Sequence, residues 1–152
     1  MTPAAAEGPL SPPVPADGVD ADELAGLQAL DGVDVAVGMA AVGGWPALYR
    51  RLLARFVQTH DVADDSWHDL FDPDRMPEAR QRVHAVRGAA STLGLIAIDE
   101  AARMLESALV AGADRARLTA LGSALGVDIA ECIAALRVVP GIQKALDDLH
   151  RP

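Results

Sequence analysis

Cysteine is almost missing from this chain, and what is scarce narrows the reading before any motif does. Among 152 residues the one cysteine is Cys132, which excludes an internal disulfide and a zinc site built on cysteines. That usage fits a reducing compartment. Aromatic residues make up only 3% of the chain, too few for the β-branched and aromatic cores of sandwiches and barrels. Basic residues are also short, with 13 Lys and Arg against 22 Asp and Glu and a net charge of −9. Such a balance argues against nucleic acid as a main partner, because phosphate binding needs a basic surface. No run of about 18 uninterrupted apolar residues occurs, so direct membrane insertion is not expected. The opening MTPAAAEGPL has neither a basic segment nor an apolar one that could act as a leader, and a soluble cytoplasmic protein is expected. A glycine-rich phosphate loop is missing too, since AVGGWP at 41–46 lacks both the lysine and a preceding strand.

What is abundant is alanine and leucine, 30 and 18 residues. Both are strong helix formers, and the fold class they imply is all-α. Five prolines among residues 1–20 read as a disordered tail or linker. Residues 21–30 can form a short helix capped by Asp20 or Asp22. VDVAVG at 33–38 alternates like a strand, but nothing nearby could pair with it. From Trp45 a helical period sets in, with Leu48, Leu52, Leu53, Phe56 and Val57 on one face of a helix over about 46–62. Further helices are expected at about 75–92, 98–111 and 115–138, the first capped by Asp72 or Asp74. Their inward residues include Ala79, Val83, Ile98, Ala101, Leu105, Leu109, Leu118, Leu121, Leu125, Ile129, Ile133 and Leu136. Gly94, Gly112 and Pro140 mark their ends, and residues 141–150 can add a last short helix. Four long amphipathic helices on short loops favour an antiparallel up-and-down four-helix bundle with short additional terminal helices. The expected division is a tail over 1–20, a helical domain over 21–139 and a C-terminal helix or tail over 140–152. Such a core needs no partner to bury its faces, so a monomeric module is expected.

The informative stretch is EARQRVHAVRGAASTLG at 78–94. On a helical wheel at about 100° per residue, Ala79, Val83, Val86, Ala90 and Leu93 share an arc of about 80°. His84 lies roughly 140° from the centre of that arc, which places it in solvent. Gly88 follows one turn later beside it, Arg80 and Ser91 lie on the same side, and Arg87 flanks it. A mid-helix glycine costs about 1 kcal/mol relative to alanine. Gly88 is too far from the core face to serve packing within a bundle, so something large must approach the backbone next to His84. Neutral imidazole is a competent nucleophile, and arginine neutralises phosphoryl oxygens. Arg75, Arg80, Arg82 and Arg87 against Glu78 make 75–87 a basic collar within an acidic chain, suited to an acidic partner pocket.

The run His84-Ala-Val-Arg87-Gly88-Ala-Ala90-Ser-Thr-Leu93-Gly94 resembles the signature of histidine-containing phosphotransfer (HPt) domains. GMAAVGGWPALYRRLLARF at 38–56 resembles the upstream helix of that family, and Leu105-Glu106 the end of its following helix. The resemblance spans about residues 31–138, with the 139–152 tail beyond it. It implies a four-helix core that shuttles phosphoryl groups between aspartates of receiver domains in a bacterial-style two-component multistep phosphorelay. It implies His84 as phospho-acceptor, Arg87 as a phosphoryl or receiver contact in a position usually held by lysine, and Gly88 as the access glycine. Arg80, Gln81 and Ser91 are the expected partner-binding residues. The implied partners are receiver domains of response regulators or of a hybrid sensor histidine kinase. No intrinsic cofactor is expected, Mg²⁺ being supplied by the receiver. No ATP-dependent autophosphorylation is expected either, because no proline follows Arg87 and no length remains for a nucleotide-binding domain. The loop WHDLFDPDRMP departs from the family in its aromatic and proline content.

A different class of reading stays open. The chain could be a helical docking or scaffold module that binds a receiver or another signalling enzyme without carrying phosphate. His60, Asp64 and His68 at i, i+4 and i+8 could offer a metal face on one continuous helix. We read them instead as a polar helix end and loop, and expect no metal site. Trp45, Trp67 and Phe71 are expected as core or staple residues, and Cys132 as a small apolar packing residue.

Overall fold

The structure is a computed structural model that describes residues 19–61 and 67–152. The expected tail and Asp64 therefore lie outside the described residues, apart from positions 19 and 20. The regular elements among the described residues are all helical, with no strand. The first two helices are α1 (Val19–Gln28) and α2 (Val35–Ala41). The long helix α3 (Pro46–His60) follows, then the single turn α4 (Trp67–Leu70) and a 3₁₀ turn at Pro73–Arg75. The remainder is α5 (Met76–Leu93), α6 (Ile96–Val110), α7 (Arg115–Arg137) and α8 (Pro140–His150).

Several local expectations change. Helix α1 begins at Val19, ahead of both aspartates expected to cap it. The alternating segment 33–38 is not a strand. Val33 makes one isolated bridge with Leu95, and the chain then turns into α2, capped by the Asp34 carboxylate accepting from the Val37 N–H at 3.2 Å. Neither Asp72 nor Asp74 caps α5, whose N-cap position is Arg75. Asp72 instead precedes the 3₁₀ turn and pairs with Arg115 at 2.6 Å.

Helix α3 is also turned relative to the expected face. Tyr49, Leu53, Ala54, Phe56 and Val57 are buried, while Leu48 is 40% exposed and Leu52 half-buried. The rotation has a polar cause. The buried Tyr49 hydroxyl donates to the Leu93 carbonyl at 2.8 Å, which satisfies the phenol inside the core and pins the start of α3 to the end of α5. Burial pushes the Tyr49 phenol up to about 12. Trp45 is not a core residue, being 41% exposed just ahead of α3. Trp67 and Phe71 are buried as expected, and their seat is on α7. A Cβ on Gly122 would stand 2.8 Å from Phe71 Cε2, so the bare backbone there makes room for the ring.

Helices α5 and α6 are joined by Gly94 and Leu95 alone. They run antiparallel, since Arg80 near the start of α5 reaches the Leu109 carbonyl near the end of α6 at 3.4 Å. Gly94 closes α5 at φ +73°, a left-handed conformation that favours glycine. A side chain at 94 would also strike the Asp34 carbonyl. The corner is latched by two backbone bonds, Asp34 N–H to Gly94 O at 2.7 Å and Ile96 N–H to Gly32 O at 2.9 Å. Helix α7 packs along α6 and buries Leu118, Leu125, Ile129, Ile133 and Leu136. At 23 residues and a mean hydropathy of 1.5 over its most apolar window, α7 is long and apolar enough to cross a membrane, which the sequence reading did not expect. Here its buried stripe faces other helices. Helix α8 lies against α3 and buries Ile142, so residues 140–150 are packed helix.

Candidate functional site

The apolar residues of α5 place its polar ones. Ala79, Val83, Val86, Ala90 and Leu93 are all buried, which fixes the rotation of the helix. His84 then stands in solvent, with 77% of its side chain exposed, as the wheel requires. Gly88 is exposed one turn on, and a Cβ built there would meet no heavy atom within 4 Å. No packing within the molecule requires that glycine. Gln81 and Ser91 are exposed on the same helix.

On the flank of α5 that meets α6, two acidic residues converge on His84 and Arg87. His84 Nδ1 lies 2.9 Å from Glu106 Oε1. The other Glu106 oxygen accepts from an Arg87 terminal nitrogen. Arg87 Nε also faces Asp99 Oδ1 at 3.9 Å. Asp99 Oδ2 accepts from Arg103 one turn along α6 at 3.1 Å. The hydrogen bond from His84, then that from Arg87, holds the Glu106 carboxyl below its ordinary value of 4.5. An ionised carboxylate only accepts, so the proton of a neutral His84 imidazole resides on Nδ1. The Nε2 lone pair is left pointing away from Glu106, available to an electrophile.

Glu106 was named in the sequence only as the end of a helix, with no role, and Asp99 was not named. The signal was present, because positions 99 and 106 are two turns apart and share one face of a helix. What the sequence could not give is the partner face, which depends on the α5–α6 register.

The arginine collar is not a free basic patch. Arg75 forks onto Glu78 at 2.9 and 3.1 Å. Arg80 reaches Leu109, Arg82 lies over the Trp67 ring at 4.5 Å, and Arg87 is held by Glu106. On the opposite flank of His84, α3 and α5 enclose an open apolar groove of about 480 Å³. Leu52, Phe56, Ala85, Gly88 and Ala89 line it.

A family model for the Hpt domain matches residues 51–149. The chain belongs to the Hpt domain family. No curated protein and no solved structure matches it. Hpt domains carry phosphoryl groups on histidine in phosphorelays and interact there with receiver domains. The match takes in nearly all of α8, so residues 140–149 fall inside the Hpt span and not beyond it as the sequence suggested. It begins within α3, which leaves α1 and α2 outside the matched span.

Two other candidates stand apart from the Hpt site. Asp64 and the His68 side chain lie outside the described residues, and among the described residues no three His, Cys, Asp or Glu side chains gather where they could hold a metal ion. Cys132 is half-buried against the core, and burial pushes its thiol up to about 11. That suits packing and not nucleophilic chemistry.

Proposed function

We propose that this Hpt domain shuttles phosphoryl groups between receiver aspartates, with His84 as the acceptor. The observation that carries the reading is the pairing of His84 Nδ1 with Glu106 on an exposed helix face. In the forward step, the Nε2 lone pair attacks phosphorus of a receiver aspartyl phosphate. The N–P bond forms as the P–O bond to the carboxylate breaks, and the electron pair leaves with the aspartate. The imidazole becomes a cation that keeps its Nδ1 proton, and the Glu106 carboxylate stabilises that charge through the existing hydrogen bond. The reverse step returns the group to a second receiver. We assign the divalent cation of this chemistry to the receiver.

The bare backbone at Gly88 and the apolar groove beside it supply the docking face, on α3 and α5. Arg80, Gln81 and Ser91, exposed on α5, are the proposed partner contacts, with Arg80 leaving its reach to the Leu109 carbonyl to make one. Arg87 reads as a support for Glu106 first and a phosphoryl contact second, because its guanidinium is already engaged on the α6 side. We further propose the up-and-down four-helix core for α3, α5, α6 and α7. Tyr49 meeting Leu93 and Arg80 meeting Leu109 both support antiparallel neighbours. We also propose a cytoplasmic location, in keeping with receiver domains as partners.

The test is label transfer from a Mg²⁺-loaded phosphorylated receiver to this chain, beside His84→Gln. Acid-labile label on the native chain alone supports the acceptor assignment. Binding without label in either protein, with both folded, would leave a docking module.

A further inference from the structure

Asp99 stands out because it makes a costly arrangement with no use in the chemistry just described. It lies in the first turn of α6, where Arg103 takes one carboxylate oxygen at 3.1 Å. The other oxygen, Oδ1, is sealed from solvent and is the one buried side-chain polar atom among the described residues without a hydrogen bond. Removing a carboxylate oxygen from water without a partner is unfavourable unless a nearby charge compensates. The cation facing it is Arg87, whose Nε stands 3.9 Å away.

Arg87 therefore spans two carboxylates of α6, Glu106 through a terminal nitrogen and Asp99 through the Nε edge. A guanidinium is a planar rigid fork, so fixing its inner edge fixes the direction of its outer nitrogens. One of them, Nη1, holds Glu106, and Glu106 holds the proton-bearing Nδ1 of His84. We infer that Asp99 is a positioning residue, which acts through Arg87 and Glu106 to keep His84 in the tautomer that leaves Nε2 free. The Asp99 carboxylate touches neither His84 nor the incoming phosphoryl group. Its contribution is to stop Arg87 from swinging out to solvent and releasing Glu106.

This inference rests on the reading of His84 as acceptor only for its consequence, since the tautomer can be read without any transfer. The experiment uses the full chain labelled with ¹⁵N-histidine, at a pH where the imidazole is neutral. The Nδ1 and Nε2 shifts of His84 report the tautomer populations directly. Four proteins are compared: native, Asp99→Asn, Arg87→Lys and the double variant. Amide spectra establish that each is folded.

The expected result is a loss of the Nδ1–H preference in Asp99→Asn. Transfer from a phosphorylated receiver should slow by about three- to tenfold, the size usual for residues coupled through a network. In the Arg87→Lys background, where the fork is gone, Asp99→Asn should change neither readout further. An unchanged tautomer in Asp99→Asn overturns the inference, whatever the transfer rate does. So does an Asp99→Asn effect that persists undiminished with Lys at position 87. If the tautomer shifts as expected but the native chain accepts no phosphoryl group, the positioning role stands and the phosphotransfer reading fails.

Discussion

Replacing Gly88 with leucine should stabilise the protein and disable it. A Cβ at this position meets no heavy atom within 4 Å, so the folded chain offers no clash. In a helix interior glycine is about 0.8–1 kcal/mol less favourable than alanine, and leucine is close to alanine. Gly88→Leu should therefore gain about 0.5–1 kcal/mol, which for a chain of this size raises Tm by about 1.5–3 °C. The same side chain would stand over the groove beside His84, where a receiver must approach. In-line attack needs the reacting atoms within about 3.5 Å, and a displacement of about 1 Å costs about 100-fold in rate. We expect transfer from a phosphorylated receiver to fall at least about 100-fold. Gly88→Ala should share the stabilisation and lose less activity. Thermal unfolding and the initial rate of label transfer, measured on the same samples, decide the matter. A higher Tm with undiminished transfer would refute the access argument, and a lower Tm would refute the open geometry at Gly88.

Three further outcomes follow from the same structure. Tyr49→Phe removes the hydrogen bond to the Leu93 carbonyl inside the core and should cost about 1–2 kcal/mol in urea unfolding, with no change in secondary structure. Gly122→Ala drives a methyl group against Phe71, and the overpacking should outweigh the better helix propensity, for a net loss of about 1 kcal/mol. Glu106 has its carboxyl value lowered by His84 and then Arg87, so its contribution is present above about pH 4.5 and is lost as pH falls through the lowered folded value. Acid unfolding of the native chain should accordingly steepen below about pH 4.5 relative to Glu106→Gln, and coincident curves would remove the linkage.

The wheel of residues 78–94 made His84 and Gly88 legible, because five apolar side chains on one helix determine where everything else points. The α6 and α7 core faces were legible for the same reason, with Leu105, Leu109, Leu125 and Leu136 buried as expected. Helix α3 was less so. Its apolar residues cover more than one face, and the choice was made by a polar group, the Tyr49 hydroxyl seeking a carbonyl 44 residues away. Trp45 fell on the wrong side for a related reason, since an amphipathic wheel does not say where a helix entry meets solvent. Most of the chemistry around His84 was illegible in principle. Glu106 and Asp99 are ordinary helix-surface acids until the α5–α6 register brings them against His84 and Arg87. The arginines misled in the opposite direction, because a basic count along the chain does not reveal that their charges are spent on internal partners.

The latch at the α5–α6 corner bears on how a working fragment of this protein can be cut. The family match starts at residue 51, and a fragment trimmed to it would look complete by sequence. It would lack Gly32 and Asp34, whose backbones bond Ile96 and Gly94. It would also lack Leu27 and Val35, which close the core from that side, and Tyr49, which ties α3 to α5. The helix that presents His84 would then lose its anchor at the end nearest the turn, while its sequence remained intact. A fragment that keeps this corner therefore has to start ahead of Leu27, well before the residues that carry the chemistry.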